Sequence, residues 1–242
     1  MALPRPAAGS ATPSVSIVVP VRDEEAVIGG LLTRLHRSYP DCEVVVVDGG
    51  STDGTVERAR RLARVVPSRA GRGPQLNTGA AASTGEVLWF VHADTVLDPG
   101  ALSALRAALR DPAVVGGGCR LRFDRTSAAL RWLEWTSDLR ARHLHWIFGD
   151  QAMFVRRSVF DEVGGFPDMP IMEDLEMSRR LHRRGRLVVL PTASTASARR
   201  FVEQGTVRMI VLMQCYKLQY FLGVDPERIR ARYDARRRVP RG

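Results

Sequence analysis

The sequence predicts a single α/β domain built on a mostly parallel sheet flanked by helices. Three features carry that expectation. Continuous apolar runs, SIVVPV at Ser16–Val21, EVVVVD at Glu43–Asp48 and EVLWFV at Glu86–Val91, have the length and β-branched content of strands covered on both faces. Between them lie stretches with apolar residues at helical spacing, Val27, Leu31, Leu32 and Leu35 being the first set. Strand and helix alternating at this interval imply right-handed crossovers and hence parallel neighbours.

Taken in order, Ser16–Val21 is the first strand and Glu24–Arg37 the first helix. Glu43–Asp48 is the second strand and Asp53–Arg64 the second helix, with Asp53 suited to its N-cap. A short strand over Arg64–Pro67 precedes a helix over Pro74–Ser83 and the strand Glu86–Val91. Pro99–Arg110 follows as a helix with proline in its first turn. The second half is less regular. It reads as a strand over Val114–Phe123 kinked at Gly116–Gly118, a Trp-rich helix over Ser127–Phe148 and a strand over Gln151–Val155. A helix over Ile171–Arg184, a short strand Leu187–Leu190 and an apolar helix Val207–Leu222 close the fold. Residues 1–13, rich in Ala and Pro, are expected to be a mobile leader, 14–222 the domain, and 223–242 an exposed basic tail with seven arginines against three acids.

Composition narrows the function classes. At 242 residues with 45% hydrophobic and 26% charged residues, the chain is globular and needs no disulfide staples. Its three cysteines, Cys42, Cys119 and Cys215, are too dispersed for a disulfide framework or a CxxC zinc site, which fits a reducing cytoplasm. No segment has the form of a signal peptide. Arg208, Gln214, Lys217 and Gln219 interrupt the apolar closing helix well short of the roughly 18 to 20 residues a membrane span requires. The net charge is +10, and Lys217 is the only lysine among 36 basic residues. Such a balance reflects either an arginine-biased code or anionic partners such as nucleotide phosphates, a phosphorylated acceptor or an acidic membrane surface. Charge alone would support a nucleic-acid partner, and no motif joins it, so none is expected.

In an open parallel sheet, ligands bind beyond the carboxyl ends of the strands. There the sequence places Arg22-Asp23-Glu24-Glu25, then Asp48 with Gly49-Gly50-Ser51, and His92-Ala93-Asp94. No GxGxxG follows the first strand, and GRGPQLNTG lacks the order of a P-loop, so dinucleotide and ATP-hydrolysis sites are not expected.

Four motifs in this order, VVPVRDEEAVI, VVVVDGGSTDGT, GRGPQLNTGAAASTGEVLWFVHADT and IMEDLEMSRRL, resemble family 2 glycosyltransferases of the GT-A fold from about Ser14 to Arg200. SARRF and the closing helix resemble a small soluble subgroup described as arsenosugar-type transferases. The resemblance implies transfer of one sugar, with inversion, from a nucleotide-diphosphate donor, a UDP-sugar foremost, to an acceptor hydroxyl on a small molecule or a lipid-linked carrier. It places Pro20 and Glu24 on the nucleotide and Asp48 on the base, where a carboxylate accepts from a ring N–H. Gly49 replaces the family's second acid there. Arg72 can approach the diphosphate with its planar fork.

His92-Ala93-Asp94 stands where the family carries its metal motif, so Asp94 would hold Mn²⁺ or Mg²⁺ with the phosphates, and His92 is either a further ligand or a packed neighbour. Glu173-Asp174 matches the family's catalytic pair, with Asp174 as general base in the first turns of a helix, where the positive end favours an anion. Gly149, Asp150 and Gln151 would border the acceptor. Trp132, Trp135 and Trp146 read first as core packing and second as a sugar-stacking surface. The processive QxxRW box is absent near Arg199 and Arg200. Two other readings remain. A sugar nucleotidyltransferase would carry a Gly-rich loop where PVRDEE stands. A nucleotide-sugar-binding protein without turnover would explain His92 and Gly49 but not the intact Glu173-Asp174. The basic tail and closing helix fit either a peripheral contact at the inner face of the membrane or a homodimer interface.

Overall fold

The structure is a computed structural model that describes residues 12–237; the remainder of the expected leader and tail lies outside the described residues. Its strands are β1 (Val15–Val21), β2 (Glu43–Asp48), β3 (Arg64–Pro67), β4 (Val87–Phe90), β5 (Val96–Leu97), β6 (Val114–Phe123), β7 (Phe154–Arg156) and β8 (Arg186–Ala196). The helices are α1 (Glu25–Ser38), α2 (Thr55–Arg60), α3 (Arg72–Ala82), α4 (Ala101–Ala108), α5 (Ala128–His143), α6 (Arg157–Glu162), α7 (Glu173–His182), α8 (Arg199–Gln204), α9 (Thr206–Phe221) and α10 (Pro226–Arg237).

The strands form one sheet in the order β3-β2-β1-β4-β7-β6-β8-β5. It is parallel from β3 to β4 and again between β6 and β8, while β7 runs antiparallel to both neighbours and β5 antiparallel to β8. The continuous apolar runs have the expected consequence. Ile17, Val19, Val46 and Trp89 pack on one face against α1 and α4, and Val18, Val45, Val47 and Phe90 pack on the other against α3, α6 and α7. Each of these side chains is essentially inaccessible, and burying one contributes about 1.5–3 kcal/mol.

Register decides where the site forms. Val21 pairs with Asp48, and Val18 with Phe90, so the carboxyl ends of β1, β2 and β4 share one edge. Because β7 is antiparallel to β4, with Trp89 opposite Phe154, the residues preceding β7 come to that same edge. The buried Trp89 indole donates to Ala152 O at 3.1 Å and secures the arrival.

Several expectations are corrected. The strand expected over Gln151–Val155 begins only at Phe154, and Gly149–Gln151 forms a 3-10 turn ending in left-handed Ala152. The strand expected to stop at Leu190 continues to Ala196. Pro191 lacks an N–H, and the ladder absorbs it by a register shift between the Gly118–Val189 and Arg120–Ala193 pairs. β5, α6 and α8 were not foreseen. Residues expected as an exposed basic tail instead form α10, whose Ile229 is fully buried. Trp132 and Trp135, expected in the core, are 51% and 62% exposed.

Candidate active site

Two kinds of surface meet at the shared edge. On the first, the loop after β2 is a closed turn: Asp48 accepts from the N–H groups of Gly50 and Ser51 and from Ser51 Oγ at 2.5 Å. Asp53 is likewise a structural acceptor, taking the N–H of Thr55 at 3.0 Å and that of Glu25 at 3.2 Å, which ties the start of α1 to that of α2. Pro20 lies half-buried in β1 beside Val47. Glu24 is half-buried, and its carboxyl is pushed up by burial and by the charge of Asp94, with Arg200 and Arg199 opposing. Glu24 and Asp94 are thus near enough to repel, an acidic lip whose charge Arg200 and Arg199 partly offset. Asp94 itself is exposed.

The second surface surrounds the start of α7. Glu173 is 4% exposed, and burial raises its carboxyl against the pull of Arg72, whose Nη1 lies 3.4 Å from Glu173 Oε1. Asp174 accepts the N–H of Gly149 at 2.9 Å and that of Leu175 at 2.8 Å. The first bond ties the catalytic-pair candidate to the 3-10 turn before β7. The turn is crowded, since a Cβ on Gly149 would lie 2.7 Å from His92 Nε2. Burial, followed by Arg72 and Arg200, holds the His92 imidazole well below its ordinary pKa and so neutral. Of the four described non-glycine residues with positive φ, Asp23, Ala152 and Met172 flank these loops, as strained backbone at functional sites often does.

Asp150 and Gln151 separate here. Asp150 Oδ1 is buried without a hydrogen-bond partner, and burial raises its carboxyl, opposed by Arg140. Gln151, expected to border the acceptor, is wholly buried. It accepts from Arg140 and the Phe148 N–H and donates to Cys119 O at 3.2 Å, so it builds the turn instead of facing a ligand.

A cavity of about 320 Å³ opens over Asp174, lined also by Arg72, Phe148, Tyr216, Lys217 and Tyr233. A second hollow of about 400 Å³ lies beside it, lined by Arg22, Arg69, Gly71, Pro74 and Glu227. Arg230 lines both, and its guanidinium donates to Pro170 O at 3.1 Å. Asp48 and Asp94 line neither and occupy the open edge. Lys217 has no carboxylate within ion-pair distance among the described residues. Its ammonium lies 5.5 Å over the Phe148 ring, and burial, then Arg140, lowers its pKa to about 8. Sequence reasoning missed the contributions of α9 and α10 to this cavity. The signal for α10 was present: Asp225 caps Glu227 N at 2.9 Å, Pro226 opens the helix, and Ile229 and Tyr233 stand one turn apart.

Among the described residues, no three His, Cys, Asp or Glu side chains form a ready metal cage. One accessible carboxylate, Asp94, beside the edge where a diphosphate would lie fits a hard cation that arrives with its phosphates and keeps waters elsewhere. The packing of neutral His92 on Gly149 suits a supporting neighbour.

The profile of Glycosyl transferase family 2 matches residues 16–165, and the chain belongs to that family. It is 28% identical over 224 residues to the O-antigen biosynthesis protein RfbC of Myxococcus xanthus, covering 76% of this chain and 17% of that protein. The mannosyltransferase PcManGT of Pyrobaculum calidifontis, solved with GDP-Man and Mn²⁺, superposes with a TM-score of 0.60 at 24% identity over 77% of this chain and 57% of its own. S. aureus TarS 1-349, solved with UDP-GlcNAc, gives 0.61 at 21% over 76% and 58%. At these identities the two structures establish the GT-A fold, and this chain spans less than two thirds of each relative.

Proposed function

We propose that the chain transfers one sugar from a UDP-sugar to an acceptor hydroxyl with inversion at the anomeric carbon. The observation that carries this reading is the fixing of Asp174 by the Gly149 N–H, over a cavity shared with Arg72 and beside the Glu24–Asp94 lip. A carboxylate offers about four lone-pair positions, and Asp174 spends two on backbone donors, leaving two for an incoming hydroxyl. Asp174 takes the proton of that hydroxyl as its oxygen attacks the anomeric carbon and the diphosphate departs from the opposite side. Arg72 offsets the charge of the leaving group, and the buried Glu173 fixes the direction of its guanidinium. Glu24, Pro20 and Asp48 hold the nucleoside, with Asp48 accepting from the uracil ring. Asp94 would hold Mn²⁺ or Mg²⁺, which when bound supplies Lewis-acid stabilisation of the diphosphate. The neighbours solved with UDP-GlcNAc and with GDP-Man plus Mn²⁺ support a nucleotide-sugar donor.

The test is Asp174→Asn assayed twice, by calorimetric titration with UDP and by transfer from UDP-sugars to a hydroxyl acceptor panel. Retained UDP affinity with transfer reduced at least ~10³-fold fits a general base. Lost UDP affinity would place Asp174 on the donor and overturn its role, and GDP binding without UDP binding would overturn the base assignment.

A further inference from the structure

Exposed apolar side chains are unevenly placed. Of the twelve large hydrophobic residues exposed among the described ones, ten lie on α5, the loop after it, α8 and α9; only Leu62 and Val96 lie elsewhere. On α5 the exposed stripe is Trp132, Trp135 and Leu139, at helical spacing. On α9 it is Val211, Leu218 and Leu222, the last just past the helix. The two helices are neighbours that pack together, and they end where Trp146 stacks on Phe221 at 5.1 Å.

On α5 and α9 themselves the exposed charges have one sign, and the exposed acid of α8, Glu203, lies 3.9 Å from Arg199 of its own helix. Arg131 and Arg142 on α5 and Arg208 on α9 are exposed. The two carboxylates of α5 are withdrawn: Glu134 and Asp138 are 16% and 17% exposed and lie near Arg122 and Arg120 of β6. α9 contains no acid at all. The other face of α9 supplies Met213, Tyr216 and Lys217 to the cavity over Asp174.

We propose that this α5–α9 face docks on an anionic lipid bilayer, lying in its interface. Tryptophan suits that position because its ring is apolar and its N–H stays wet. Flanking arginines add attraction to anionic headgroups that weakens with salt. Among the described residues no helix is long and apolar enough to cross a membrane, so contact is by a surface, not a span. A second copy of the chain is the poorer occupant. A two-fold contact through this face would bring Arg131, Arg142 and Arg208 of both copies together with no exposed carboxylate on either helix to pair them.

The experiment is co-sedimentation of the full chain with phosphatidylcholine vesicles, with and without phosphatidylglycerol, alongside tryptophan emission. Expected are binding to the anionic vesicles, a blue shift, loss at high salt, and weak binding to phosphatidylcholine alone. Trp132→Ser with Trp135→Ser should weaken vesicle binding at least tenfold, ~1.4 kcal/mol, while the melting temperature and UDP affinity hold. No vesicle binding, or binding that the double variant leaves intact, overturns the proposal. So does a dimer in vesicle-free solution that the double variant dissociates, since a second copy then covers the face. UDP affinity reads the donor site separately, so failure here and failure of the transferase reading are distinct results.

Discussion

Gly149→Ala tests whether the turn before β7 sets the position of Asp174. Gly149 is not among the glycines with positive φ, so the backbone tolerates alanine and the question is one of space. The new methyl would stand 2.7 Å from His92 Nε2, 2.8 Å from Cε1 and 3.7 Å from Asp174 Oδ2. Carbon contacts settle near 3.5–4.0 Å, so the imidazole and the turn must separate by roughly 1 Å. Overpacking of this kind costs about 1–3 kcal/mol. Stretching the 2.9 Å Gly149–Asp174 hydrogen bond brings the total to about 2–4 kcal/mol. At about 2–4 °C per kcal/mol for a chain of this size, the melting temperature should fall by roughly 4–16 °C. Transfer should fall about 10²-fold, as a 1 Å misplacement of a catalytic group does. Gly29→Ala is the control. Gly29 lies inside α1 with no neighbouring heavy atom within 4 Å of its Cβ position, so alanine should stabilise by about 0.5–1 kcal/mol. Calorimetric melts of both variants decide the matter. If Gly149→Ala melts like wild type, the close approach of turn and imidazole does not exist, and the positioning of Asp174 through it falls too.

Three further outcomes follow from the charges. The Lys217 ammonium has a folded pKa near 8 against an ordinary 10.5, so between those values the unfolded chain binds more protons and stability rises with pH. Lys217→Met should remove that rise in urea titrations across the interval; an unchanged slope would assign it to other groups. Arg72→Gln leaves the buried Glu173 without its cation and should destabilise by about 1–2 kcal/mol, discounted because Arg72 is 46% exposed. The raised Glu173 carboxyl is accommodated neutral at low pH and costs stability as pH rises through its folded pKa, so this loss should shrink on acidification; an equal loss throughout would refute the coupling. Asp94→Ala should make UDP affinity identical in Mn²⁺ and in EDTA, and an ion dependence that survives would move the metal elsewhere.

Strands β1, β2 and β4 were legible because each is covered on both faces. Strands Glu43–Asp48, Arg64–Pro67 and Val114–Phe123 have the boundaries read from sequence, and the Gly116–Gly118 irregularity appears as a pair of register shifts. A run such as EVVVVD admits no other burial. β8 was legible only to Leu190 because PTASTA has the composition of a turn, yet its Ser and Thr pair with β6 and β5 where one face need not be apolar. α10 was obscured by its own arginines. One isoleucine and one tyrosine a turn apart anchor it, which is a weak periodic signal among five arginines.

The same contrast governs the site. That the ends of β1, β2 and β4, at or after which Glu24, Asp48 and Asp94 stand, share one edge was legible because parallel strands put their carboxyl ends together without any knowledge of contacts. The acceptor side depends on a single antiparallel strand of three residues, β7, whose direction no local pattern reveals. That strand delivers Gly149 to Asp174 across 25 positions of sequence and buries Gln151 in the process. Neighbouring residues of one motif therefore diverge: Gly149 orients the candidate base, Asp150 leaves an unpartnered oxygen beside it, and Gln151 becomes scaffold. α9 then divides its own surface, giving Lys217 to the cavity and Val211 and Leu218 to solvent. Its sequence looked like core because buried Met209, Ile210 and Tyr216 are interleaved with the exposed Val211 and Leu218, so the run carries apolar residues on both faces.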